Sequence, residues 1–377
     1  MRIVLDARTA TDHFPGIGRY VANLARAMVP ILDNGDEMTV LRDSTGTTTL
    51  DLTGLADPGV SVVDAPVSVF SLRQQWAVPP LLRGFQADVY HSSYYLMPYW
   101  SGVPGVVTIH DLIPLRYPEY YTAFQRLVYG VTIRLAARTC RLVLADSEAT
   151  AADLQRLLGL DQDRIRVVPA AADPRFHVCT PAEVSDVRRK YGLPQKYLLH
   201  LSSGKPHKNL VRLVDAWALV TGERETAGNV LVLAGQVSPR YPEARDRIEA
   251  LGVEEDVRVL GRIPEKDLPA LYSGATWFVF PSLYEGFGLP VLEAMTCGTP
   301  VVCSNTSSLP EIAADAAITF DPVDTEAIAE ALSMALGDAT LREDVRQKAI
   351  VRAKDFGWEH TARLVYDCYG EVVAGAG

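Results

Sequence analysis

Arg2-Ile3-Val4-Leu5-Asp6, followed by Pro15-Gly16-Ile17-Gly18 and an apolar series at Tyr20, Val21, Leu24, Met28 and Ile31, is a strand, a glycine loop and an amphipathic helix. The same order returns at Tyr197-Leu198-Leu199-His200-Leu201. There a polar loop, Ser202 to His207, leads into a helix whose buried face is traced by Leu210, Leu213, Val214, Trp217 and Val220. Each half continues with short apolar runs separated by helical stretches: Val89 to His91, Val106 to His110 and Leu142 to Ala145 in the first; Val230 to Leu233, Val257 to Leu260, Trp277 to Phe280 and Pro300 to Cys303 in the second. Such alternation predicts an α/β protein of two Rossmann-like, doubly wound domains facing across a cleft, with ligands at the carboxyl ends of the strands. The expected domains are 1–180 and 181–355, with 356–377 a helix crossing back to the first. Pro169, Pro174, Pro181 and Pro194 punctuate the join, and Glu183 to Lys190 is expected to form a charged helix there.

Composition narrows the function. With 36 Lys and Arg against 46 Asp and Glu in 377 residues, the net charge of −10 repels polyanions, so nucleic acid is not an expected partner. The five cysteines (Cys140, Cys179, Cys297, Cys303, Cys368) show no Cys-x-x-Cys spacing, and no basic and apolar leader precedes Ile3, which together predict a reducing, cytoplasmic setting. No run approaches 18 uninterrupted apolar residues, so a spanning helix is not expected, although contact with a membrane face stays open.

The chemistry is concentrated in Phe280-Pro281-Ser282-Leu283-Tyr284-Glu285-Gly286-Phe287-Gly288-Leu289-Pro290-Val291-Leu292-Glu293. A strand ends at Pro281, a glycine-punctuated loop follows, and Pro290 stands where the first turn of a helix tolerates it. The free N–H groups and positive dipole end of that helix suit a phosphate or pyrophosphate. Carboxylates beside a phosphate would repel it unless they serve sugar hydroxyls, which Glu285 and Glu293 are suited to accept. The bland alternative, a loop solvator and a first-turn charge complementing the dipole, does not account for the glycine loop between them. The other glycine pair, Gly16 and Gly18, lacks the third glycine of a dinucleotide fingerprint, since Val21 occupies its place, and the Met38 to Leu41 run ends in Arg42 rather than an acid. A tight strand-to-helix turn, or a loop whose amides approach an anion, remain as its readings.

On these residues the chain resembles the retaining nucleotide-sugar glycosyltransferases of family 4 with the GT-B fold. The Glu-x7-Glu spacing of Glu285 and Glu293 carries the likeness. Gly298-Thr299-Pro300-Val301-Val302, His110-Asp111, Lys208-Asn209 and Trp358-Glu359 reinforce it. The resemblance implies that Glu285 contacts the donor hexose, Glu293 the ribose, and Lys208 the departing diphosphate. It implies that backbone groups of Phe287, Gly288 and Leu289 hold hexose and pyrophosphate, with Ser203 in the neighbouring loop. It also implies that His110 touches the sugar near the reacting carbon, and that Gly16 and Gly18 bring the first loop to the diphosphate. The first domain would bind the acceptor, a glycan or lipid-linked saccharide, and the second the nucleoside-diphosphate sugar. The run from Gly16 to Tyr20 suggests GDP-mannose. Where many relatives carry an arginine, this chain reads Ser202-Ser203-Gly204-Lys205, which leaves Lys205 or His207 to substitute.

No metal site and no separate cofactor are expected: Asp161-Gln162-Asp163 reads as a turn before a strand, and Cys and His show no ligand spacing. Arg126, Arg134, Arg138 and Arg141 fall on one side of a predicted helix with Leu127, Val131 and Leu135 among them, a pattern open either to anionic lipid or to plain solvent. The tyrosine-rich stretches Ser92 to Tyr95 and Pro114 to Tyr121 are suited to stacking on a sugar or lipid carrier, or to packing. Three other activities stay open at this point: a sugar-nucleotide isomerase or epimerase on the same fold, a glycoside hydrolase using Glu285 and Glu293, and a non-catalytic nucleotide-binding subunit.

Overall fold

The computed structural model describes residues 1–44, 52, 55, 57–221, 228–235 and 241–375. They form two compact units, Met1–Ala171 with Gly357–Gly377, and Ala172–Phe356. The first unit holds strands β1 (Arg2–Asp6), β2 (Glu37–Arg42), β3 (Val60–Asp64), β4 (Val89–Ser92), β5 (Gly105–Ile109), β6 (Leu142–Ala145) and β7 (Ile165–Val167). They pair in parallel in the order β3-β2-β1-β4-β5-β6-β7. The second holds β8 (Lys196–Leu201), β9 (Asn229–Ala234), β10 (Val257–Gly261), β11 (Trp277–Phe280), β12 (Val301–Ser304) and β13 (Ala317–Phe320), parallel in the order β10-β9-β8-β11-β12-β13. The central strands β4, β5, β6, β11 and β12 are buried along their whole length, as parallel strands covered on both faces must be, which is why they read as unbroken apolar runs. In each sheet the strand order reverses once, between β1 and β4 and between β8 and β11, and a crevice opens at the strand ends at such a point.

Two expectations are refined. The division falls at Ala171 rather than near residue 180, because the intervening residues pack on the second unit. Phe176 meets Tyr272 edge-on at 5.8 Å, Arg175 pairs with Glu265, and the Cys179 amide donates to Ser273 Oγ at 3.1 Å. The first glycine pair is not a loop either. A helix already starts at Pro15 and runs to Met28, so Gly16 and Gly18 stand in its opening turn, with the Gly18 amide donating to Phe14 O at 2.7 Å.

The helix Trp358–Ala374 belongs to the first unit, where it packs along Pro15–Met28. Val365, Tyr369 and Val372 are buried, each contributing roughly 1.5–3 kcal/mol of apolar burial. Tyr369 adds a polar tie, its hydroxyl lying 2.7 Å from His91 Nδ1, while Trp358 meets the Tyr20 ring at 5.7 Å.

Candidate active site

In the second unit the reversal between β8 and β11 sets two loops side by side. After β8 the chain makes a short turn, Pro206–Lys208, and enters the helix Leu210–Val220 through Asn209, which takes a left-handed conformation at φ 61°. The Asn209 side-chain amide donates to the carbonyls of Pro281 (3.1 Å) and Pro322 (2.7 Å), which fixes this turn against the end of β11. Lys208 is thereby delivered to Glu285: its ammonium lies 2.6 and 2.9 Å from the two carboxylate oxygens and 5.4 Å from the centre of the Phe280 ring. Serines hold the acid in place. Ser282 donates to Glu285 Oε1 at 2.5 Å, the Glu285 amide donates to Ser307 Oγ at 2.9 Å, and Ser308 donates to Phe287 O at 2.5 Å.

The loop ends at Gly288, whose φ of 114° favours glycine, and a Cβ there would also press on Leu309 Cδ2 at 2.8 Å. The helix Leu289–Thr296 follows with no side-chain cap; Pro290 has no N–H and the Val291 and Leu292 amides donate to Gly288 O at 2.9 and 3.3 Å, which leaves the Leu289 N–H at the helix start for an approaching anion. Glu293, within this helix, is 3% exposed and accepts a hydrogen bond from the Tyr272 hydroxyl at 2.9 Å. The two acids therefore differ: Glu285 faces a cation at the loop, and Glu293 faces an interior phenol.

Beside this loop, at the ends of β8 and β9, lies a small, mainly apolar cavity of about 40 Å³ lined by His200, Ser202, Gly204, Gly235, Tyr241 and Arg245. Ser203 is half-buried in the adjoining loop, and Lys205 is exposed. His207, one of the two candidates for replacing the missing arginine, is buried. Burial, with the charges of Lys208 and Lys205, pushes its imidazole down to about 3, so it is neutral and supplies no charge.

The first unit gathers a second constellation at three neighbouring strand ends. His110 follows β5, Asp146 follows β6 and Ser93 follows β4. His110 Nδ1 lies 2.6 Å from Asp146 Oδ2, and Nε2 lies 3.1 Å from the Ser93 carbonyl. Both partners are acceptors, so the doubly protonated ring is the form that satisfies both contacts. Burial alone would push it down, but the Asp146 carboxylate, by charge and hydrogen bond, and the Asp111 charge carry its pKa above the ordinary value. Phe14, just ahead of the glycine pair, stacks on Phe70 at 5.4 Å and meets Tyr94 at 5.1 Å, and Tyr94 meets Tyr95 at 4.3 Å. The Ser92 to Tyr95 stretch is thus partly packing.

Three other imidazoles behave in the opposite way to His110. Burial, with the His110 charge, pushes His91 down to about 3; burial, with Lys208, pushes His200 down to about 4; His207 stands at about 3. Each is neutral when folded and protonated when unfolded below about pH 6.5. Their contribution is therefore complete above that pH and is lost as the pH falls toward the folded values, at about 1.4 kcal/mol per pH unit for each ring. Urea unfolding at pH 7 and at pH 5 is expected to show a clearly lower midpoint in acid, with protons taken up on unfolding.

Residues 184–352 match the family described as Glycosyl transferases group 1, and residues 15–176 match Glycosyltransferase Family 4. The O-antigen chain mannosyltransferase B of Escherichia coli is 34% identical over 298 residues, which is 79% of this chain and 77% of that protein. Among solved structures, sucrose-phosphate synthase (tll1590) from Thermosynechococcus elongatus superposes with a TM-score of 0.77 at 20% identity, covering 100% of both chains. Anabaena Alr3699/HepE in complex with UDP and glucose gives 0.75 at 21% identity, covering 98% of this chain and 99% of that one.

Proposed function

The chain belongs to the GT-B glycosyltransferases, and from that premise we propose that it moves mannose from GDP-mannose to a saccharide acceptor, a glycan or a lipid-linked sugar, with retention of anomeric configuration. The observation that carries this reading is the clasp of Lys208 and Glu285 beside the uncapped helix Leu289–Thr296, at the strand reversal of the second sheet. In the proposed roles Lys208 neutralises the diphosphate as it leaves, and Glu285 accepts from hexose hydroxyls. Phe287, Gly288 and Leu289 present backbone groups to hexose and pyrophosphate. Glu293 turns from Tyr272 to the ribose, with Ser203 close by. Gly16, Gly18 and His110 are the first unit's contribution, and the His110 imidazolium is a fixed cation there rather than a base. Retention needs no carboxylate base if the donor's own phosphate oxygen takes the acceptor proton. The name of the Escherichia coli mannosyltransferase supports the choice of sugar.

Incubation with UDP-, GDP- and ADP-sugars, followed by measurement of nucleoside diphosphate with and without saccharide acceptors, tests the reading. Release of GDP from GDP-mannose only when acceptor is present is expected. A new sugar nucleotide formed without acceptor would instead reveal an isomerase or epimerase, and binding without turnover a non-catalytic subunit. Lys208 and the helix dipole supply the charge stabilisation that a divalent ion would otherwise give. Turnover in excess chelator is accordingly expected to equal turnover with Mg²⁺ or Mn²⁺, and loss on chelation with recovery on metal addition would contradict this.

No helix among the described residues is long and apolar enough to cross a membrane. Lipid contact is proposed instead through the helix Ala123–Thr139, on an apolar face that the arginine side overlaps. Phe124 (74% exposed), Leu127 (65%), Val128 and Val131 (50%) recur at i, i+3, i+4 and i+7 and point outward, flanked by exposed Arg126 and Arg138. Arg134 instead donates to the carbonyl of Gly130. Co-sedimentation with vesicles containing anionic lipid is expected, with Leu127→Ser/Val131→Ser releasing most of the bound protein; equal binding to neutral vesicles would remove the arginines from the account.

A further inference from the structure

Outside the proposed donor site, the start of the second unit carries a cluster that the sequence spacing did not announce. His177, Cys179 and Glu183 bring one ligand atom each to within 4.8 Å of one another, the one such group among the described residues. The residues lie on one stretch of seven that runs from a connecting segment into a helix. His177 and Cys179 lie on the connecting segment that packs against this unit, and Glu183 lies in the first turn of the helix Pro181–Tyr191.

We propose that this is a metal site for Zn²⁺, with the imidazole, the thiolate and the carboxylate as three ligands and water as the fourth. Three features argue for it. His177 Nδ1 lies 2.7 Å from the carbonyl of Arg175 and must donate to it, which leaves the Nε2 lone pair free and aimed toward the cluster. A backbone carbonyl on the far nitrogen is how ligating histidines are ordinarily oriented. Nε2 lies 3.9 Å from Cys179 Sγ. Zn–N of about 2.0–2.1 Å and Zn–S of about 2.3 Å at a tetrahedral angle require about 3.5 Å, so a shift of a few tenths of an ångström brings this pair to ligating distance, and side-chain rotation on the order of 1 Å brings in the third ligand atom, which lies within 4.8 Å of both. Glu183 is already positioned, since its Oε2 accepts from the amide and hydroxyl of Thr180 at 2.8 Å each, leaving Oε1 for a cation. The mixed N, S, O set is that of a borderline-soft ion and not of Mg²⁺ or Ca²⁺. The cluster is open to solvent, beside a cavity that Lys266 and Asp267 also line, so an ion has a path in. On binding, the thiol proton passes to water as the S–Zn bond forms. The ion would fasten the connecting segment to the helix that follows it. This inference is independent of the donor site and of the choice of sugar.

The full-length chain, reduced and stripped of metal, is titrated with Co²⁺ as a spectroscopic probe and then with Zn²⁺. Expected are one equivalent of Co²⁺ with a thiolate-to-cobalt charge-transfer band, its displacement by Zn²⁺, and protection of one thiol from alkylation. Cys140, Cys297, Cys303 and Cys368 are buried and do not compete. Cys179→Ser should abolish the band, and His177→Gln should weaken Co²⁺ binding at least tenfold. Glu183→Gln keeps the cap on Thr180, because glutamine serves in a capping box, and so reports loss of the ligand without loss of the helix start. Zn²⁺ should raise the melting temperature of the parent chain and leave that of Cys179→Ser unchanged. Absence of the band, or a band that survives Cys179→Ser, would overturn the proposal. If Cys179→Ser does not fold, the His177→Gln and Glu183→Gln titrations decide it, and unchanged Co²⁺ affinity in both would overturn it equally.

Discussion

Lys208→Ala is expected to lower the rate of nucleoside diphosphate release by about 10²–10³-fold, the usual cost of removing one group that stabilises charge developing in a transition state. Glu285→Ala is expected to fall in the same range. Both residues are mostly covered, at 14% and 10% side-chain exposure, so each single variant also leaves its partner unpaired in a place where water reaches it poorly. That entangles stability with rate, and the double variant separates them. Lys208→Ala strands the Glu285 carboxylate with only Ser282 as a side-chain donor among the described residues, whereas Lys208→Ala/Glu285→Ala strands no charge. Melting temperature is therefore expected to recover in the double variant while turnover stays down. Recovery of both, or a Lys208→Ala enzyme within tenfold of the parent, would show that the clasp is only structural.

The largest loss of stability is expected from Gly235→Ala. Gly235 closes β9 at φ 118°, donates its amide to Gly261 O at 2.8 Å, and lies so close to the neighbouring loop that a Cβ would stand 1.9 Å from the Ser202 carbonyl oxygen. Left-handed strain of about 1–2 kcal/mol adds to about 1–3 kcal/mol of overpacking against backbone that cannot swing aside. Ser202 lines the cavity at the ends of β8 and β9, so the same displacement should raise the donor KM. Urea unfolding and donor saturation curves check the two halves of this expectation. An alanine variant within about 1 kcal/mol of the parent would mean that the loop yields more easily than backbone contacts of this kind allow.

The repeated strand-and-helix units were legible because buried parallel strands leave continuous apolar runs and their helices leave a 3.6-residue period, both of which survive in one dimension. Lys208 and Glu285 were each legible from local context, but their pairing was not, because it depends on β8 and β11 being neighbours in the sheet. Asn209, Ser282, Ser307 and Ser308 escaped for the same reason: a hydroxyl or amide whose partner is a distant backbone group has no local signature. Gly16 and Gly18 misled in the other direction, since glycine signals freedom to turn and here sits in the first turn of a helix. Leu127 and Val131 were legible as apolar neighbours of the arginines, but their exposure with Phe124 was not, because which side of a helix faces its neighbour is settled by the sheet it packs on. His177, Cys179 and Glu183 match no familiar ligand spacing, so their grouping within seven residues was not read as a site.

The return of the last helix to the first unit has a consequence for synthesis. Ribosomal output is ordered, and the second unit, Ala172–Phe356, is fully translated while the first still lacks Gly357–Gly377. Until those residues emerge, the His91 imidazole has no Tyr369 hydroxyl and the apolar seam along Pro15–Met28 is bare. The part made first is therefore finished last, and a nascent chain stalled before Gly357 carries an open hydrophobic groove for a chaperone to hold.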